Sequence, residues 1–233
     1  MNPGRLAVIP ARGGSKRIPR KNIAPFAGLP MLAHAVGAAR RSRLFDHVVV
    51  STDDAEVAAV ARCAGAELPF LRPADLADDF TPTVPVVAHA IGACRALGWA
   101  FDAVCCIYPA VPLLDPQDLQ RALALLDEGG SAYVFPVLAF RSPIQRALQR
   151  DGNGQVRPVF PEHTLTRTQD LTPAFHDAGQ FYWGRAAAWL AGTALHADAR
   201  SFVLPEGSVV DIDTPADWAR AEALFLARRL AGA

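Results

Sequence analysis

Apolar residues recur along the chain in short runs, and most runs are followed by a segment of helical periodicity. Residues 5–10 (RLAVIP) form an apolar run closed by proline, the pattern of a buried strand. Residues 30–43 carry apolar positions at helical spacing and end in arginines, which suit the negative end of a helix dipole. Residues 47–51 (HVVVS) are rich in β-branched side chains and predict a second strand. Asp53 or Asp54 can cap the next helix, which runs to about residue 64, with Gly65 at its C-terminal cap. A short strand is expected over 67–71 and a helix over 84–97, with Pro85 tolerated in its first turn. A strand over 102–108 (DAVCCIY), a helix over 116–128 ended by Gly129 and Gly130, and a strand over 131–137 follow.

Strands alternating with helices at this spacing predict parallel βαβ units in a doubly wound α/β sheet. The alternation breaks between residues 138 and 175, where prolines, arginines and short apolar pieces surround a turn signal at 151–154 (DGNG). This stretch is expected to leave the sheet as an arm or hairpin. An aromatic strand resumes at 179–184 (GQFYWG), with at least one ring facing the core. Residues 215–230 predict a last helix, capped by Asp213 or Thr214, with Pro215 at its first position. No repeat or low-complexity tract divides the chain, so residues 1–233 are read as one domain.

Composition narrows the function. Hydrophobic residues make up 51% of the 233, enough for a substantial core and incompatible with wholesale disorder. Lysine and arginine number 23, as do aspartate and glutamate, and this balance argues against a generally basic nucleic-acid binder. No run approaches the roughly 18–20 uncharged apolar residues of a membrane span, and the first ten residues do not read as a signal peptide. The expectation is a soluble cytoplasmic protein without a membrane partner. Cys63, Cys94, Cys105 and Cys106 lack metal-ligand or redox spacing and read as reduced thiols.

The neutral total conceals a segregated charge. Residues 10–22 (PARGGSKRIPRKN) hold Arg12, Lys16, Arg17, Arg20 and Lys21 and no acid, directly after the first predicted strand. Ligands of doubly wound sheets bind at the carboxyl ends of the strands. Gly13, Gly14 and Ser15 let the backbone turn and aim N–H groups at an anion, while arginine adds planar paired donors and lysine a compact charge. A solvated basic loop is the plain alternative, but the position favours a triphosphate cradle. The loop is neither the dinucleotide fingerprint nor the ATPase phosphate loop. Asp211-Ile212-Asp213 is the second signal. In an extended segment Ile212 turns to the core and both carboxylates face one point, which with phosphate oxygens suits Mg²⁺. Alone, this would read as a strand end with Asp213 capping the last helix.

IPARGGSKRIPRKN at 9–22 resembles the opening of the cytidylyltransferases that activate nine-carbon acidic sugars, the CMP-sialic acid synthetase family. STDD at 51–54, RPADLADDFTPT at 72–83 and DIDTPADW at 211–218 match in order, so the resemblance spans nearly the whole chain. HDAGQFYWG at 176–184 is similar to the branch of that family acting on pseudaminic acid. The resemblance implies a Rossmann-like, mostly parallel sheet of the nucleotide-diphospho-sugar transferase type and a homodimer built by an arm, here the 138–175 excursion. It implies that Arg12 and Lys21 hold and polarise the triphosphate, helped by Gly13, Gly14, Ser15, Lys16 and Asn22. Ala11, Arg72, Thr81 and Thr83 would surround the cytidine, and Asp211 and Asp213 would bind Mg²⁺. Arg167 and Gln180 would face the acidic sugar, beside Tyr108. The implied reaction joins CTP to a nonulosonic acid, most simply pseudaminic acid, for cell-surface glycan or flagellin glycosylation, and releases pyrophosphate. One departure bears on the acceptor. Tyr108-Pro109-Ala110-Val111-Pro112 stands where sialic acid synthetases carry a glutamine-containing segment, and its apolar character suits a deoxygenated sugar. Sialic or legionaminic acid as acceptor, and a non-catalytic nucleotide-binding module, are the competing readings. No residue of the sequence identifies itself as the general base.

Overall fold

The computed structural model describes residues 4–15 and 17–232. Strand β1 (Gly4–Pro10) follows the predicted apolar run and places Leu6, Ala7, Val8 and Ile9 out of contact with solvent. A two-residue hairpin, β2 (Pro25–Phe26) and β3 (Leu29–Pro30), leads into helix α1 (Met31–Ser42). Arg43 ends α1 in a left-handed conformation, with φ 55°. Strand β4 (His47–Ser51) and helix α2 (Ala55–Cys63) come next, and Asp54 rather than Asp53 caps α2 by accepting from the N–H groups of Glu56 and Val57. Then follow α3 (Thr83–Ala96), β5 (Phe101–Ile107), α4 (Pro116–Asp127) and β6 (Tyr133–Ala139).

The excursion holds a small hairpin, β7 (Leu148–Arg150) with β8 (Val156–Pro158), turned at the predicted DGNG. The chain rejoins the sheet through β9 (Phe175–Asp177) and β10 (Phe181–Arg185). Phe181, Tyr182 and Trp183 are all buried. Helix α5 (Ala186–Leu190), strand β11 (Ala199–Val203) and helix α6 (Pro215–Leu230) complete the chain. Thr214, not Asp213, caps α6, in a reciprocal capping box with Asp217.

The strand order is β11-β6-β10-β5-β1-β4, with β9 added along β6. β1 is parallel to β4 and β5, and β11 to β6, whereas β10 runs antiparallel between β5 and β6. The mostly parallel α/β sheet is therefore as expected, but the aromatic strand β10 is reversed, as is the short β9 along β6. Alternate residues serve two layers. Ala7, Ile9, Cys105 and Ile107 pack against α1, α2 and α4, while Leu6, Val8, Val104 and Cys106 face α3 and α5.

One expectation needs correction. Residues 67–71 form no strand, only a single parallel bridge between Val49 and Glu67. After Glu67 exchanges hydrogen bonds with Val48 and Val50, the chain leaves the sheet edge to deliver Arg72. Strand β11 and helix α5 were not anticipated, because ARSFV is short, mixed in polarity and sits at the sheet edge, where one buried residue, Phe202, suffices to dock it. Among the described residues no helix is long and apolar enough to cross a membrane. All four cysteines are free, and all but Cys63 are buried.

Candidate active site

The carboxyl ends of β1, β4 and β5 open onto a cleft of about 530 Å³. The basic loop forms one wall. Arg12, Ser15, Arg17, Lys21 and Asn22 line the cleft. Ala11 is fully buried beneath it, tied by its N–H to the Ser51 carbonyl at 2.9 Å. Asn22 is 7% exposed and donates to the Arg12 carbonyl at 3.0 Å, so the loop folds back on itself and its two ends share one support. Lys16 lies outside the described residues.

Gly13 is where the absence of a side chain is required. Its N–H donates to Asp53 Oδ1 at 3.2 Å, and an added Cβ would stand 2.5 Å from Asp54 Oδ2. Gly14 has open space around it. Asp54 is held from the other side by Arg20, which donates to its two oxygens at 2.6 and 3.0 Å. The Arg20 hydrogen bonds and the α2 N–H groups stabilise the charged carboxylate and hold its pKa down at about 2. Of the five loop cations, Arg20 is thus a structural one. It takes φ 54°, a conformation that glycine adopts more readily, and this pair compensates.

Lys21 and Arg17 reach across the molecule. Lys21 Nζ donates to the Ile212 carbonyl at 2.7 Å and lies 3.6 Å from Asp213 Oδ1, and Arg17 donates to Asp213 Oδ2 at 2.6 Å. Ile212 is 2% exposed and packs with Phe26, Met31 and Ala221, so it anchors the segment while its two aspartate neighbours stay outside the core. Partial burial, then the charge of Asp213, raises the pKa of Asp211. Two carboxylates that disfavour each other's charge in this way favour a cation beside them. Among the described residues no third aspartate, glutamate, histidine or cysteine joins them. The donor set suits a hard divalent ion that completes its shell with water and phosphate oxygens.

The opposite wall carries the residues expected near the base. Arg72 is 6% exposed and donates to Ser51 Oγ at 3.1 Å and to the Ser51 carbonyl at 2.5 Å. Its burial lowers its pKa from the usual arginine value. Thr81 is fastened to Asp78 Oδ1 through its N–H at 2.6 Å and its hydroxyl at 2.7 Å. Thr83 shares a 2.9 Å hydrogen bond with the Tyr108 hydroxyl, and both line the cleft. Burial pushes the Tyr108 pKa up.

The structure therefore brings Arg12, Ser15, Lys21, Asn22, Arg72, Thr81, Thr83 and Tyr108 to one cleft, with Asp213 on its cations. Two expected sugar contacts stand elsewhere. Arg167 is exposed on the excursion and pairs with Asp170 at 2.7 Å, and it does not line the cleft. Gln180 is 3% exposed, behind the wall. Its carbonyl accepts from the Tyr108 N–H at 2.9 Å, and its side-chain oxygen has no partner among the described residues. Sequence reasoning missed the acids that hold Arg12 and Arg20. Arg12 donates to the Asp78 carbonyl at 2.9 Å and to Asp79. Asp78, Asp79, Ser51 and Asp54 all lay inside the quoted motifs. A dense cationic loop needs counter-charges close by, and that requirement could have found them.

Residues 6–191 match the cytidylyltransferase family. The pseudaminic acid cytidylyltransferase of Campylobacter jejuni is 42% identical over 221 residues, covering 94% of this chain and 95% of that protein. The CMP-N,N'-diacetyllegionaminic acid synthase of Legionella pneumophila is 31% identical and covers 94% and 95%. Among solved structures, CMP:2-keto-3-deoxy-manno-octonic acid synthetase complexed with CTP superposes with a TM-score of 0.71 at 18% identity, covering 97% of this chain and 99% of that one.

Proposed function

This chain belongs to the cytidylyltransferase family, and on that premise we propose that it transfers CMP from CTP to a nine-carbon acidic sugar, pseudaminic acid, with release of pyrophosphate. The observation that carries the reading is the meeting of two distant segments. Lys21 and Arg17 of the basic loop reach Asp213, 196 positions from Arg17 in sequence. That juxtaposition sets cations suited to a triphosphate beside a carboxylate suited to a metal. The relatives' names supply the nucleotide and the acceptor. The choice of pseudaminic acid over legionaminic acid rests on the higher identity, 42% against 31%.

In this mechanism the sugar's anomeric hydroxyl attacks the α-phosphorus in line and pyrophosphate leaves, with no covalent enzyme intermediate. Arg12 and Lys21 offset charge building on the phosphates, while the Gly13 N–H, engaged by Asp53, holds the loop that carries Arg12. Arg72, Thr81 and Thr83 orient the nucleoside, and Ala11 forms the buried floor. Asp211 and Asp213 would hold Mg²⁺, which supplies charge neutralisation at phosphate oxygens and a more acidic attacking hydroxyl. Dimerisation is part of the proposal: Leu148, Val156, Val159 and Leu165 are exposed on the excursion, apolar side chains suited to burial against a second copy. Arg167, on the same excursion, could then serve a partner's sugar site. We assign the reaction to the cytoplasm, which supplies CTP and keeps the four free thiols reduced.

The test is turnover of two variants. Arg12→Ala and Asp211→Ala each lose about 10²–10³ in rate while keeping the wild-type circular dichroism, as expected for groups that stabilise developing charge. Near-wild-type pyrophosphate release by either removes its assigned role.

A further inference from the structure

Tyr108 closes the cleft on the side of β10 and β6, and it stands on a second, buried tyrosine. The Tyr108 and Tyr182 rings meet edge to face, with centroids 5.5 Å apart and planes at 63°. Tyr182 is 4% exposed, and its hydroxyl donates to Asp177 Oδ2 at 2.9 Å. The same oxygen lies 3.0 Å from His196 Nε2. A carboxylate can only accept, so Nε2 carries the proton. The other oxygen, Oδ1, accepts from the Gly179 N–H at 2.8 Å and so shapes the corner between β9 and β10. That corner carries Gln180, whose carbonyl holds the Tyr108 N–H. Asp177 is therefore fixed from three directions and fixes Tyr108 by two routes, one through the Tyr182 ring and one through the corner.

His196 belongs to the loop between α5 and β11, outside the cleft. Its side chain is 67% exposed, and it packs edge to face on Phe135, with centroids 5.2 Å apart. A structural role would leave little reason for an exposed imidazole to be aimed at a carboxylate that already has two donors. We infer that His196 is a positioning residue for the acceptor side of the cleft, acting through Asp177 and Tyr182 to set the place of Tyr108. The nucleotide wall is formed by β1, β4 and β5, so the next half of the crevice, over β10 and β6, is where the sugar approaches. This inference rests on the proposed reaction for its kinetic consequence and on geometry alone for its structural one.

The experiment therefore has two arms. The sequence contains three tyrosines, Tyr108, Tyr133 and Tyr182, so fluorotyrosine labelling gives three ¹⁹F resonances, assigned by Tyr→Phe substitution. In His196→Ala the signals of Tyr182 and Tyr108 shift, and that of Tyr133 holds. In the kinetic arm, His196→Ala raises the KM for the sugar acid about tenfold, the usual effect of losing one hydrogen bond to a charged group, and leaves the KM for CTP within about twofold. His196→Gln, which keeps an N–H donor, recovers most of the change. Unmoved tyrosine signals, equal changes in both KM values, or a loss of activity that tracks the melting temperature overturn the inference. Shifted tyrosines in an enzyme that shows no turnover with any sugar acid, wild type included, retain the positioning and overturn the reaction.

Discussion

Gly13→Ala places a methyl group against a carboxylate held by four hydrogen bonds. The new Cβ would meet Asp54 Oδ2 at 2.5 Å, its Cβ at 2.9 Å and its Cγ at 3.0 Å. Asp54 accepts from Glu56 and Val57 N–H at 2.9 Å each and from Arg20 at 2.6 and 3.0 Å. Relief requires either that Asp54 leave these partners or that the loop carrying Arg12 lift. Losing the cap costs about 1 kcal/mol. Pressing the methyl into this contact adds the usual overpacking cost of about 1–3 kcal/mol. Alanine returns about 0.4–1 kcal/mol by restricting the unfolded chain. The net loss is about 2 kcal/mol, which in a chain of this size lowers Tm by about 4–8 °C. Differential scanning calorimetry measures this, with Gly14→Ala as the control for the fold, because a Cβ there meets nothing within 4 Å. The KM for CTP in Gly13→Ala rises about tenfold as the loop backbone withdraws. A Gly13→Ala protein that melts within a degree of wild type and saturates normally with CTP refutes the reasoning.

Asp54 also gives a pH signature. Its carboxyl is held at about 2, below the usual 3.8, so its contribution is complete above pH 3.8 and disappears as pH falls through 2. The difference in Tm between wild type and Asp54→Asn should therefore be constant at pH 5–7 and vanish near pH 2. Arg72→Lys keeps the charge but removes the two-pronged grip on Ser51, so stability falls by about 1–3 kcal/mol in urea titration and the KM for CTP rises. Gly184→Ala brings a methyl within 2.6 Å of Trp189 Nε1 and the Tyr133 ring, and the overpacked core loses about 1–3 kcal/mol by the same measurement, with no direct effect on the KM for CTP.

The sheet was legible where its strands are buried on both faces, and β1, β4 and β5 therefore read as continuous apolar runs. The β11 edge was not. β11 buries Phe202 and leaves Ala199, Ser201 and Val203 exposed, and no periodicity marks so short a segment. The orientation of β10 was also hidden, since an aromatic run fits a reversed strand as well as a parallel one. In the site, the basic loop and Asp211-Ile212-Asp213 were readable from charge and from the period of an extended chain. Which cations are free for a ligand was not readable, because that depends on distant partners. Arg20 is taken by Asp54 and Glu56, and Arg12 is docked on Asp78 and Asp79. The burial of Gln180 follows from the β9–β10 corner, a tertiary feature without a local signal.

Pyrophosphate release by the wild-type enzyme, with each of the four nucleoside triphosphates against a panel of nine-carbon acids in Mg²⁺, tests the central claim most directly. The account predicts release with CTP and pseudaminic acid, and its loss when EDTA removes the metal. Release with ATP but not CTP, or with CTP and no sugar acid of the panel, contradicts it.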